Sequence, residues 1–348
     1  MNTPSSRRQI VVVTGGSAGI GRATVREYAR HGADVAIIAR GRERIDAACR
    51  EVEEAGGRAL GISADVADTA AVEDAAERIE RELGPVDIWI NNAFAGIFST
   101  FMDMTPEEYR RITDVTYFGQ VNGTRAALKH MLPRDRGTIV LVGSALAYRG
   151  IPLQSAYCGA KHATQGFLDS VRPELIHRAS RVRLCMVQLP AVNTPQFDWA
   201  RVHIANRPRP AGKIYQPEVA ARAIRFAAGS GRKEVWVGRT TVEAIVGDRL
   251  ASPLLDLYLA RSGISGQSTQ ESVDPDRRDN LFDPVPGDPG AHGRFDEVAA
   301  ASSLQMTLNR NRNLVAAAAA ATAAGAAWLV RRRRARTRLA MDGPPPGR

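Results

Sequence analysis

The sequence predicts a doubly wound, parallel α/β sheet with helices on both faces, forming one main domain with a C-terminal extension. Three observations predict it. Short apolar runs of strand length alternate with longer runs of helical period. Those short runs are apolar nearly throughout, as in strands covered by helices on both sides. A glycine-rich turn joins the first strand to the first helix.

Each element is read in order. "QIVVVTG" is a buried strand, and "GIGRATVREYARHG" is a helix stopped at Gly32. "DVAIIAR" is the second strand, followed by the helix "GRERIDAACREVEEAGG". "RALGISADV" is the third strand, "TAAVEDAAERIERELG" a helix and "VDIWINNA" the fourth strand. A long helical region runs from about Thr105 to Leu132. "GTIVLVGS" is the fifth strand, residues 156–177 a helix and "RVRLCMVQLP" the sixth strand. "QPEVAARAIRFAAGS" and "KEVWVG" give a last helix and a seventh strand. Pro173 predicts a kink or early break in the helix it occupies.

The 348 residues suffice for one large α/β domain and an appendage, and 44% hydrophobic residues permit a sizeable core. Residues 1–261 read as the Rossmann-type domain. Residues 262–309, rich in Gly, Pro, Ser and Asp, read as a linker or a draped extension. Residues 310–348 read as an Ala-rich helix with an Arg-rich tail. That tail carries nine arginines and one acid, Asp342, so it holds +8 of the net +10 and leaves the body nearly neutral. A nucleic-acid-binding body is not suggested, and no aromatics are interleaved with the tail's arginines.

Cys49, Cys158 and Cys185 show neither metal spacing nor a disulfide framework, which fits a reducing compartment and a cytoplasmic protein without a metal. "MNTPSSRRQIVVVTGG" is not a secretory signal, because its apolar run is too short. Leu314 to Val330 is uncharged, and Arg331 to Arg334 follow it. As a helix it spans roughly 25 Å, just short of a bilayer core. It is expected to lie on or dip into a membrane surface, with a full span or packing against protein as the alternatives.

In "TGGSAGIG", Gly15, Gly19 and Gly21 allow a tight turn and close backbone approach to a pyrophosphate at a helix N-terminus. A P-loop is excluded because Arg22 and Ala23 follow Gly21. The second strand ends in Ala39 and Arg40 rather than the carboxylate that holds an NAD ribose. The planar fork of Arg40 suits a 2′-phosphate, with Arg42 and Arg44 adding field, so NADP is the expected cofactor. In "SAYCGAK", Tyr157 and Lys161 stand four apart and share a helix face. An ammonium there would lower the phenol's pKa from about 10 and make Tyr157 a usable acid, whereas the other reading of this stretch alone is an ordinary pair of helix neighbours.

Taken together, Thr14-Gly15-x-x-x-Gly19-x-Gly21, Asn91-Asn92-Ala93, Ser144 and Tyr157-x-x-x-Lys161 resemble the short-chain dehydrogenase/reductase family over about residues 7–240. The resemblance implies a hydride transfer between nicotinamide and a carbonyl or secondary alcohol of a small molecule. It makes Tyr157 the acid or base, Ser144 the group that polarises the substrate oxygen, and Lys161 the residue that lowers the tyrosine pKa and binds ribose. It adds Ser17, Ile20, Asp65, Val66, Asn91, Ala93, Pro190 and Thr194 to the cofactor set, and implies a homo-oligomer. Two positions depart from the family. Phe94 replaces a glycine, so the backbone is reshaped or the ring walls the pocket. Thr116 stands where the family's asparagine helps to hold a water near the lysine, so the proton relay is weakened or rerouted.

Residues 191–213 follow the sixth strand, where such folds form their cleft. Phe197, Trp199 and Val202 suit an apolar lid there. Arg201, Arg207 and Arg209 read as solvated loop charges in preference to a site for an anionic substrate. The competing reading of the whole chain is a cofactor-binding sensor or scaffold with weak or no turnover.

Overall fold

The computed structural model describes residues 7–274 and 276–314, together with Ala317, Thr322 and Trp328. The central strands are β1 (Ile10–Thr14), β2 (Asp34–Ala39), β3 (Ala59–Ser63), β4 (Ile88–Asn91), β5 (Thr138–Ser144), β6 (Arg183–Leu189) and β7 (Glu234–Trp236). They form one seven-stranded sheet in the order β7-β6-β5-β4-β1-β2-β3, and every pairing is parallel. Strand order reverses between β1 and β4, and a ligand cleft is expected outside the carboxyl ends at that switch point.

The helices cover both faces: α1 (Gly19–Ala29), α2 (Arg42–Glu54), α3 (Thr69–Glu82), α4 (Pro106–Thr113), α5 (Gly119–Met131), α6 (Ser155–His177), α7 (Pro217–Ser230) and α8 (Arg239–Ser262). All five residues of β1 are buried, as the continuous apolar run requires. The helix starts follow their chemistry. Thr105 closes a capping box with Glu108 at α4, and Asp68 accepts from Ala71 N–H at α3.

Three expectations change. The long helical region is split by a π-helical turn, Asp114–Phe118, between α4 and α5. Helix α6 continues through Pro173 to His177 instead of breaking, since the proline removes one N–H about a turn from the helix end. A kink lies in α8, where Ala251 (φ −151°) leaves helical geometry two residues before Pro253.

The chain divides into two compact units, Met1–Ser303 and Leu304–Arg348. Residues 262–303 thus fall within the first unit. Ser268–Ser272 pairs antiparallel with Asn206–Pro208. The buried Gln267 side chain donates to Pro152 O at 2.9 Å and to Gly263 O at 2.7 Å. These long-range bonds give the polar segment a fixed path. In the second unit a helix covers Leu304–Arg310. Apart from residues 310–314, Ala317, Thr322 and Trp328, the expected membrane segment and the arginine tail lie outside the described residues. Among the described residues no helix is long and apolar enough to cross a membrane.

Candidate active site

The carboxyl ends of β1, β2, β3 and β4 frame a cleft of about 130 Å³ lined by the glycine turn, Arg40, Asp65, Val66 and Ala93. Gly15 (φ +65°) and Gly19 (φ +54°) adopt left-handed conformations that favour glycine. A Cβ on Gly21 would lie 2.1 Å from Gly15 O, so this turn tolerates no side chain there. Ala18 at the start of α1 gives no side-chain cap. The turn thus offers an uncrowded backbone and a helix N-terminus, which fit a dinucleotide's pyrophosphate. Ser17 and Ile20 line the same cleft.

At the end of β2, Arg40 is half-buried beside Arg111. Burial lowers its pKa, and the neighbouring guanidinium lowers it further. Arg111 donates to Asp65 Oδ2 at 2.5 Å. Burial pushes the Asp65 carboxyl up, but this bond and the Ala67 N–H outweigh it and hold the carboxyl below its usual range. Two arginines facing one partly neutralised acid leave a positive corner suited to a phosphate. Arg44 contributes less to it, because its guanidinium stacks 4.5 Å from the Trp199 ring centre and donates to Gly287 O. Arg42 points outward to Asp46.

Asn91 and Asn92 divide their roles in a way the motif does not reveal. Asn91 Oδ1 accepts from Trp89 Nε1 at 2.9 Å and its Nδ2 donates to Thr124, so its side chain is buried structure. Asn92 lines the cleft and donates to Thr14 O and Gly15 O, tying β4 to the glycine turn. Strand alternation assigns the cleft to one of the two, and it assigns it to Asn92. Thr194 packs over Gly19, where an added Cβ would lie 3.3 Å from its side chain. Pro190 lines the neighbouring cavity.

That cavity, about 470 Å³ and open to solvent, meets the cleft at Ile20, Asn92 and Phe94 and has Ser144, Tyr157 and Lys161 on its wall. Strand β5 delivers Ser144 at its last position, and the first turns of α6 deliver Tyr157 and Lys161. Burial raises the Tyr157 pKa above its ordinary value, and the hydrogen bond with Ser144 opposes that shift. Burial also lowers the Lys161 pKa to about 7. Its Nζ donates to Val142 O at 2.6 Å and lies 5.6 Å from the Tyr157 ring centre. The expected depression of the tyrosine by the lysine is therefore not the net effect here. Desolvation dominates both groups.

The two departures from the family pattern have clear geometry. The Phe94 ring meets the Tyr157 ring edge-on at 5.7 Å and walls the cavity. Thr116, on the π-helical turn, is fully buried; its hydroxyl donates to Ala95 O and accepts from Ala95 N–H, both at 3.0 Å. That hydroxyl is committed to the loop after β4. In the 191–213 loop, Arg201 binds Glu108 and Asp279, and Arg207 binds Asp198 and Glu271. The Arg201 pairs are part-buried, so that guanidinium is held in the structure, whereas the Arg207 pairs are exposed and leave it a surface loop charge. Arg209 lines the cavity, as does Phe197, which stacks on Phe98 at 5.9 Å. Trp199 belongs instead to the cofactor cleft, and Val202 pairs with Phe98 in a short two-stranded parallel ladder. Among the described residues no cluster of His, Cys, Asp and Glu is arranged to hold a metal.

The short chain dehydrogenase pattern matches residues 9–202. The uncharacterized oxidoreductase YxnA of Bacillus subtilis is 32% identical over 277 residues, covering 79% of this chain and 78% of that one. Dehydrogenase/reductase SDR family member 7B of Bos taurus is 34% identical over 177 residues, about half of each chain. A short-chain dehydrogenase from Streptomyces avermitilis superposes with a TM-score of 0.62 at 25% identity, covering 74% of this chain and 99% of that one. A metagenomic short-chain oxidoreductase solved in complex with NADP superposes with a TM-score of 0.56 at 27% identity, covering 66% and 96%. A parallel sheet with its switch point at the glycine turn, and this sequence similarity across most of the chain, lead to one conclusion: the chain belongs to the short chain dehydrogenase family.

Proposed function

We propose that the protein is an NADP(H)-dependent oxidoreductase that interconverts a carbonyl and an alcohol on a bulky, largely apolar small molecule. The observation that carries this reading is the junction of two spaces: Ser144, Tyr157 and Lys161 line a cavity that opens onto the cleft holding Arg40. The nicotinamide would supply or accept the hydride. The Ser144 hydroxyl polarises the substrate oxygen and steadies its developing charge. Tyr157 hands that oxygen a proton, or removes one in the reverse direction. Lys161 favours the phenolate when protonated, and its pKa of about 7 lets it exchange a proton near neutral pH.

Substrate character follows from the walls. Phe94, Ile97, Phe98, Leu146, Ile151 and Phe197 surround the reacting groups, and Arg209 is the charged side chain on the far wall. Such a lining favours a large apolar body bearing one carbonyl or hydroxyl. A panel of ketones and secondary alcohols of increasing bulk, assayed by NADPH and NADH absorbance, should give rates that rise with apolar bulk and a preference for NADPH. Tyr157→Phe keeps the ring and removes the transferable proton. Turnover should fall about 10²- to 10⁴-fold with NADPH affinity nearly unchanged. Wild-type turnover in this variant would refute the assignment.

The second reading is a sensor or scaffold that binds cofactor with little or no turnover. It is favoured by the Thr116 hydroxyl, which is spent on Ala95 where the family places a water-holding asparagine. A complete panel without turnover, beside clear NADPH binding, would select it.

A further inference from the structure

Residues 280–290 run along the cleft that the dinucleotide reading assigns to a cofactor. Arg40 Nη1 donates to Leu281 O at 3.3 Å and to Phe282 O at 2.6 Å, and Nη2 donates to Asn280 O. Arg111 Nε also reaches Leu281 O, at 3.0 Å. The Leu281 side chain is fully buried in the same apolar cluster as Val66 and Val115, two residues of the cleft wall. Farther along, Arg44 Nε donates to Gly287 O, Arg22 pairs with Asp288, and Gly287 N–H donates to Glu43. At the far end Gly19 N–H, the free donor that opens α1, donates to Gly290 O at 3.0 Å.

These contacts trace a recognisable footprint. A 2′-phosphate would require Arg40, an adenine would lie against Asp65 and Val66, and a pyrophosphate would use the N–H groups at the start of α1. The segment holds the first with carbonyls, the second with Leu281 and the third with Gly290. We propose that residues 280–290 form an intramolecular strap that competes with the adenosine half of the cofactor, so that cofactor binding requires the strap to leave. The proposal rests on the dinucleotide reading of the cleft. The replacement is chemically reasonable: neutral carbonyls on a buried guanidinium give way to a phosphate, whose charge-assisted bonds are stronger. Apparent affinity is then the intrinsic affinity reduced by the fraction of molecules with the strap released.

The structure supplies its own lock. A Cβ on Gly41 would lie 3.5 Å from Pro284 Cβ, within the spacing of a disulfide, about 3.5–4.5 Å. Gly41 has a negative φ that any residue adopts. The double variant Gly41→Cys, Pro284→Cys, made in a Cys49→Ser background, can therefore be compared with itself, oxidised and reduced. NADPH binding followed by nicotinamide fluorescence should weaken at least tenfold on oxidation and return with dithiothreitol. Equal or tighter binding in the oxidised form overturns the strap. Absence of NADPH and NADH binding in both forms overturns the cofactor assignment and the strap together. Leu281→Ser provides the opposite test and should tighten NADPH binding several-fold. A third measurement needs no substitution: NADP should accelerate tryptic cleavage at Arg277 and Arg294. Protection by NADP, with weaker binding by Leu281→Ser, would mean that the segment clamps a bound cofactor, and would reject competition.

Discussion

The two halves of the active-site groove are built differently. The half around the glycine turn carries the guanidiniums of Arg40 and Arg44, and residues 280–290 meet them with carbonyls and set a buried leucine beside them. The half around Ser144 and Tyr157 is larger and more apolar. Polar groups must be paired when water is removed, so a cationic cleft calls for acceptors, and the chain provides them. An apolar cavity makes no such demand and can stay open for a substrate. The difference teaches that partner identity is encoded more strictly in the first half than in the second.

The comparison can be broken first at the glycine turn. Gly21→Ala would set a Cβ 2.1 Å from Gly15 O and 2.6 Å from Asn92 Nδ2. The turn must open, so NADPH affinity should fall by more than tenfold and stability by about 1–3 kcal/mol. Titration and thermal melting measure both, and wild-type affinity would show that the turn is not the pyrophosphate site. Arg40→Asp acts next along the cleft. It repels a 2′-phosphate and can accept from a ribose hydroxyl, so the NADPH-to-NADH affinity ratio should drop at least tenfold. An unchanged ratio would remove Arg40 from cofactor choice.

The open half is tested by Thr116→Val. This variant keeps the side-chain shape and leaves the Ala95 N–H and carbonyl without their partner, at about 1–3 kcal/mol of stability. Turnover per folded molecule should hold, whereas its collapse in a folded variant would place the hydroxyl in the chemistry. The last test concerns Lys161. Its folded pKa, about 7, lies below its ordinary value of 10.5, so the folded state binds fewer protons and stability rises with pH across that window. Lys161→Met should therefore raise the melting temperature of the cofactor-free protein more at pH 6 than at pH 9. A gain independent of pH would contradict the burial of an ionisable amine.

Much of this was legible in the residues, for local reasons. Continuous apolar strands, helix stops and the glycine turn are short-range signals, and the sheet followed from their alternation. Ser144, Tyr157 and Lys161 were singled out through the resemblance of their motifs to the family, and the fold brings all three to the wall of one cavity. What stayed hidden depends on distant partners. Arg40 was legible as a cation at a strand end, yet the carbonyls it holds lie about 240 residues away. Arg201 reads as solvated until Glu108 and Asp279 are brought to it. The net rise in the Tyr157 pKa depends on burial, which no spacing reveals.

Gly293 lies where an added Cβ would come within 2.3 Å of Thr194 O, and nearby Asn193 bonds both Asp296 and the Phe295 N–H. Two stretches a hundred residues apart are thus fitted to each other at the level of single atoms. They form one module for the engineer, although they are not contiguous in the gene. A chimera that exchanges everything after residue 262 with a relative would import a segment shaped for another loop. Grafting residues 191–196 along with it would keep lock and key from the same source.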